Sequence, residues 1–275
     1  GNGINTANTN MHTPYLVPIT NVTKILASGC WQSNGGGTVN VTRILKSDGT
    51  TWATGGNQCG QLGIGTTNNA AVFTQEVMLK TNVVDFGALA SYYGASYIID
   101  ADGYLYFAGR NHGGALGNPS LGANLTSFAN AAGSSTATAG FQGKMVQGIS
   151  TIKPKVISIG SIATGYNTTY VLDNTGTLYA VGENTEGMLG TGGTTQSADW
   201  VKPIGIPYNR KVVDIVTSGF GSYGGNSALI LLDDGSMMSI GSSAWGLTGN
   251  MVNPGSPSYT FRYVIGFEPF TVSRK

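Results

Sequence analysis

Charge is scarce in this sequence. Lysine and arginine number 14 and aspartate and glutamate 13 in 275 residues, so charged side chains make up 10% and the formal net charge is +1. Globular domains usually carry roughly a quarter. A nucleic-acid binder needs a basic patch or tail; none is visible, and no nucleic-acid partner is expected. Histidine is limited to His12 and His112, and cysteine to Cys30 and Cys59. A structural zinc site takes about four such ligands, so no metal is expected. The cysteines could pair, since both fall in loops of the first repeat, or stand as two free, partly buried thiols; the free reading is favoured. No apolar run is long enough to cross a bilayer. Residues 1–13 are polar and lack the apolar stretch of a secretion signal; they read as a flexible or partner-bound arm. Gly1 in place of an initiator methionine is read as following a cleavage.

Catalytic constellations are missing too. Asp48, Asp102 and Asp234 sit in turn sequences, where aspartate bonds its own backbone. Asp100, Asp173 and Asp233 end apolar segments, and none forms an acid pair at fixed spacing. His112 stands where the other copies of its motif carry Gln58 and Thr185. The runs that superficially look like phosphate loops lack G-K-[ST] and open no helix. No enzyme activity and no cofactor are expected.

Glycine is abundant instead, 43 residues, and it is ordered. Four copies of one pattern run in phase, each starting at the glycine of a turn: Gly49, Gly103, Gly176 and Gly235. Six residues on stand Gly55, Gly109, Gly182 and Gly241; eight on stand Asn57, Asn111, Asn184 and then Ser243. Eleven on stand Gly60, Gly114, Gly187 and Gly246, and fourteen on Gly63, Gly117, Gly190 and Gly249. Leu62, Leu116 and Leu189 precede the last glycine; the fourth copy has Thr248 there. Apolar arms flank each turn, which predicts a strand, a two-residue hairpin turn with a positive-φ glycine, a second strand and a compact glycine loop. Trp52, Tyr106, Tyr179 and Met238 share one position, expected to pack between neighbouring sheets.

A hairpin repeated at this period cannot bury both faces alone and must stack on its neighbours. Four-stranded blades stacked radially, a β-propeller, are the expected architecture. The runs G-G-N-Q-C-G-Q-L-G, G-R-N-H-G-G-A-L-G and G-E-N-T-E-G-M-L-G, each after its hairpin, resemble the repeat of the regulator of chromosome condensation family of β-propellers. The fold class expected is all-β: a small propeller of four, or with degenerate termini five, antiparallel blades. The resemblance implies a ring, and the family is best known for seven blades. Blades are expected near residues 22–78, 83–117, 156–204 and 212–267, within one domain over 14–275. Pro14 to Ile19 is expected to pair with the last blade and close the ring, and Tyr259 to Phe267 to be the final strand.

Two irregularities break the period. The turn glycines are spaced 54, 73 and 59 apart, and the excess falls in an insertion over 118–153. The link between the first strand and the hairpin is compact around Tyr93 and Tyr166 but long in Gly29–Asn40 and Gly219–Ser227. A ring of four would set those long loops side by side. The expected binding face is therefore Trp31, Gln32, Asn34, Tyr93, Tyr166, Phe220 and Tyr223, aromatics and amides suited to a protein partner or a glycan.

The resembled family includes exchange factors for a small GTPase that bind chromatin. Too few repeats and no basic tail argue against that activity. Bacterial members act by protein binding alone, among them a secreted inhibitor of β-lactamase. The neutral surface of Gly, Thr, Asn, Ser and Ala points to an exposed virion component of a tailed bacteriophage. Two forms are expected: a head decoration protein docked on capsid proteins, or a tail fibre part that meets a host surface receptor. The alternative is a secreted bacterial propeller that binds or inhibits another protein.

Overall fold

The computed structural model describes residues 16–32, 37–77, 82–89, 94–101, 104–117, 122–130, 155–160, 167–173, 175–218, 226–243, 246, 248–249 and 256–269. Its strands form four antiparallel sheets of four. The first blade is β1 (Val22–Gln32), β2 (Gly37–Lys46), β3 (Thr51–Gly55) and β4 (Ala70–Gln75). The second is β5 (Val83–Leu89), β6 (Ala95–Asp100), β7 (Leu105–Arg110) and β8 (Asn124–Asn130). The third is β9 (Lys155–Gly160), β10 (Asn167–Leu172), β11 (Leu178–Gly182) and β12 (Ser197–Val201). The fourth is β13 (Val212–Ser218), β14 (Ser227–Leu232), β15 (Met237–Gly241) and β16 (Ser258–Tyr263). One turn of 3-10 helix, His112–Gly114, is the helical element among the described residues, and no described helix could cross a membrane.

The chain is thus a small all-β propeller whose blades are consecutive in sequence. Neighbouring blades meet through their first strands, β1 beside β5, β5 beside β9 and β9 beside β13. The core lies between sheets. Leu26 and Leu45 of blade one share a cluster with Val83, Phe86, Ile98 and Tyr106 of blade two. Phe107 of blade two clusters with Val171, Tyr179 and Trp200 of blade three, and Tyr170 of blade three with Ile215, Ile230 and Met238 of blade four. The shared position read as an inter-sheet packer therefore holds for Tyr106, Tyr179 and Met238. Trp52, with no blade before it, is only half-buried.

Several expectations need correction. The turns are three-residue loops. Lys46 N–H donates to the Thr50 carbonyl at 2.9 Å and Gly49 N–H to the Lys46 carbonyl at 3.0 Å, with Gly49 at φ 78°. A type I turn closed by a left-handed glycine gives this loop, and the third and fourth blades repeat it. The outer strand of blade two, β8, lies inside the stretch read as an insertion over 118–153: Leu125 and Phe128 are buried, and the blade reaches Asn130 rather than ending near 117. Gly29–Asn40 is not a loop through most of its length. β1 and β2 continue to the pairs Trp31↔Thr38 and Gln32↔Gly37. Residues 16–20 join no sheet, so the expected closing strand is absent from them; Ser47 N–H instead bonds the Asn21 carbonyl beside the first blade's own turn. The final strand stops at Tyr263, and Met237 N–H reaches past it to the Phe267 carbonyl at 2.9 Å. The expected arm over 1–13, and Gly103, lie outside the described residues.

Candidate functional site

The glycine loops are built around one asparagine each. Asn57 is fully buried; its Oδ1 accepts from Leu62 N–H at 2.8 Å, and its Nδ2 donates to the Thr66 and Asn68 carbonyls at 2.7 and 3.0 Å. Asn184 repeats the set with Leu189, Gly193 and Thr195 at 2.7, 2.9 and 3.0 Å. Asn111 accepts from Leu116 N–H at 3.0 Å. In blade four Ser243 Oγ donates to the Ser256 carbonyl at 2.6 Å, a shorter side chain reaching one strand of the loop. The asparagine ties the start of the loop to its far end, and the leucine after it drops into the core, where Leu62, Leu116 and Leu189 are buried. The motif residues therefore support the scaffold. Asn184→Ala is expected to cost about 2–4 kcal/mol in urea denaturation, since it leaves buried backbone groups unpaired.

The strongest buried electrostatics also lie between blades. Arg43 and Glu76 form a fully buried ion pair through Nε and Oε1. Arg43 Nη1 donates to the Gly87 carbonyl at 3.2 Å and Nη2 to the Gln61 carbonyl at 3.0 Å, and its guanidinium lies 5.3 Å from the Phe128 ring centre. Burial pushes the Glu76 carboxyl up, and the Arg43 charge draws it back. Arg43 lies on β2 and Glu76 just after β4, both in blade one; the bond from Arg43 to the Gly87 carbonyl and its contact with the Phe128 ring join them to blade two. Sequence reasoning missed both residues, because 33 positions separate them.

Chemistry is thin elsewhere. Cys59 is a buried free thiol, pushed up by desolvation with Arg110 opposing, so it is a poor nucleophile. His112 Nδ1 sits 3.3 Å from Glu183 Oε1. Among the described residues no group of three His, Cys, Asp or Glu could hold a metal.

The expected binding face falls largely outside the described residues. Trp31 and Gln32 end β1, and only their backbone is described. Asn34, Tyr93, Tyr166, Phe220 and Tyr223 lie outside it. In sequence, Asn34, Tyr93, Tyr166, Phe220 and Tyr223 fall between the first and second strands of their blades, and Trp31 and Gln32 are the last two residues of β1.

The family pattern for the Regulator of chromosome condensation (RCC1) repeat matches residues 159–187, which span the third hairpin and its glycine loop. Human WBSCR16 superposes with a TM-score of 0.58 at 15% identity, covering 88% of this chain and 52% of its own. Yeast RCC1 (Prp20), solved bound to Kap60, gives 0.58 at 15% over 84% of this chain and 49% of its own. Prp20p from Saccharomyces cerevisiae, described with its binding to Gsp1p and histones, gives 0.53 at 15% over 84% and 51%. The chain thus spans about half the length of the solved structures it matches.

Proposed function

We propose that this propeller, whose third repeat matches the RCC1 pattern, is a non-enzymatic protein-interaction module, carried as an exposed component of a tailed bacteriophage particle. The carrying observation is that Asn34, Tyr93, Tyr166, Phe220 and Tyr223 fall in sequence between the first and second strands of their blades, with Trp31 and Gln32 at the end of β1, and antiparallel topology sends such connections to one end of a blade. Rigid sheets carry these aromatic and amide side chains, and the motif residues are consumed in building the loops. Binding loops on a stable scaffold are the usual division of labour in such folds. The solved propellers of this type bind proteins, Kap60 in one case and Gsp1p and histones in another. The neutral, lightly charged surface supports the virion setting.

Labelled protein is expected to bind intact host cells saturably and to compete with infection. Trp31→Ala with Tyr223→Ala should weaken that binding about tenfold or more while the melting temperature stays within about 2 °C. A large fall in melting temperature would make the two residues scaffold instead. Absence of cell binding, with the chain found by mass spectrometry in purified particles, would assign decoration of the head rather than receptor recognition.

A further inference from the structure

The internal blade boundaries share one construction. Phe86 pairs with Ile98 in blade two and Ile215 with Ile230 in blade four, as Ile25 pairs with Ile44 in blade one. Phe86 and Ile215 are 1% and 2% exposed, because the preceding blade covers them; Ile25 is 67% exposed. Val22, in the position of the buried Val83 and Val212, is 42% exposed. The opposite end shows the reverse half. Leu231 stands where Leu45 and Leu172 stand and is 37% exposed, and Val216, in the position of Leu26, is 58% exposed.

Loop contacts agree. In the first and third blades a Cβ on Gly49 or Gly176 would press on Asn82 or Lys211 of the following blade, and one on Gly60, Gly114 or Gly187 on Leu125, Ala198 or Tyr259. Their counterparts in blade four, Gly235 and Gly246, meet nothing within 4 Å among the described residues. Blade four thus presents the surface of a blade awaiting a successor, and blade one that of a blade awaiting a predecessor.

Charge selects the pairing. Lys24, Asp85, Lys155 and Asp214 occupy one register position, opposite Leu45, Ile99, Leu172 and Leu231. The sign alternates from blade to blade, and Lys24 Nζ bonds Asp85 across the first boundary. Blade four placed before blade one sets Asp214 next to Lys24 and keeps the alternation unbroken. Blade one against blade one would oppose two lysines. We infer that two copies of the chain join head to tail, blade four of each on blade one of the other, into one closed ring of eight blades. Two identical head-to-tail contacts related by a two-fold axis close without leaving an open end.

Sedimentation equilibrium of the full chain at micromolar concentration is the test, and twice the chain mass is expected. Ile25→Asp and Leu231→Asp each change an exposed side chain, and each alone should weaken association about a hundredfold. Mixing the two variants should restore a pair, because one of its two contacts then joins unaltered faces. A wild-type monomer, an open series of larger masses, or no rescue on mixing would each overturn the inference. A variant that loses its circular dichroism spectrum is replaced by Val216→Asp or Val22→Asp, with the wild-type mass deciding independently.

Discussion

Arg43→Met is expected to destabilise the protein by about 3–5 kcal/mol, because it strands a carboxylate in a dry interface. Glu76 has its side chain fully buried, and Arg43 supplies its charge partner. Methionine fills much of the same space but carries no charge. It also abandons the carbonyls of Gln61 and Gly87, which the guanidinium now serves. For a chain of this size that loss lowers the melting temperature by roughly 10 °C. The partner variant separates charge from packing. Arg43→Met combined with Glu76→Gln removes the stranded charge and should recover more than half of the loss. Urea unfolding of the single and double variants decides the matter. Equal losses would mean that the hydrogen bonds from Arg43 to the Gln61 and Gly87 carbonyls, not its pairing with Glu76, carry the effect.

The second large effect is expected from Gly55→Val. Gly55 ends β3 at φ 117°, a region closed to β-branched residues. A Cβ there would also collide with the Asn40 carbonyl, which accepts a hydrogen bond from Gly56 N–H at 3.0 Å. Neither conflict can relax without breaking the β2–β3 ladder. A loss of about 4 kcal/mol or more is expected, with hydrogen-exchange protection falling first across blade one. Gly193→Ala is the matched control: its Cβ meets nothing within 4 Å, and its stability should change by no more than about 0.5 kcal/mol. Retained protection in blade one of the valine variant would overturn this account.

The hairpins and glycine loops were legible in the sequence because their signals are local and repeated four times. The turn glycines Gly49, Gly176 and Gly235 have the expected positive φ, 78°, 84° and 84°. The outer strands were less legible, the last excepted, which the reading over Tyr259 to Phe267 anticipated in part. A-A-V-F-T-Q, N-L-T-S-F-A-N, S-A-D-W-V and S-Y-T-F-R-Y share no motif, since each faces a different mixture of neighbour and solvent. That is why β8 disappeared into a supposed insertion. The Arg43–Glu76 clamp was hidden for another reason: it occurs once, and its partners lie on different strands. The alternation of Lys24, Asp85, Lys155 and Asp214 is present in the letters, but only strand register shows that they share a position. Of the expected binding face, sequence located the connections.

Each sheet here is completed by four strands that follow one another without borrowing from elsewhere. This bears on how the molecule comes into being. A blade emerging during synthesis already contains every hydrogen-bonding partner its sheet needs, so its short-range closures do not wait for the terminus. Pairings between near neighbours in sequence form quickly, and arrays of such units propagate from one to the next. Because each described sheet takes its four strands from one stretch of sequence, gain or loss of a whole blade by gene duplication or deletion leaves every remaining sheet intact. The same independence makes the number of blades free to drift in evolution while the individual blade stays fixed.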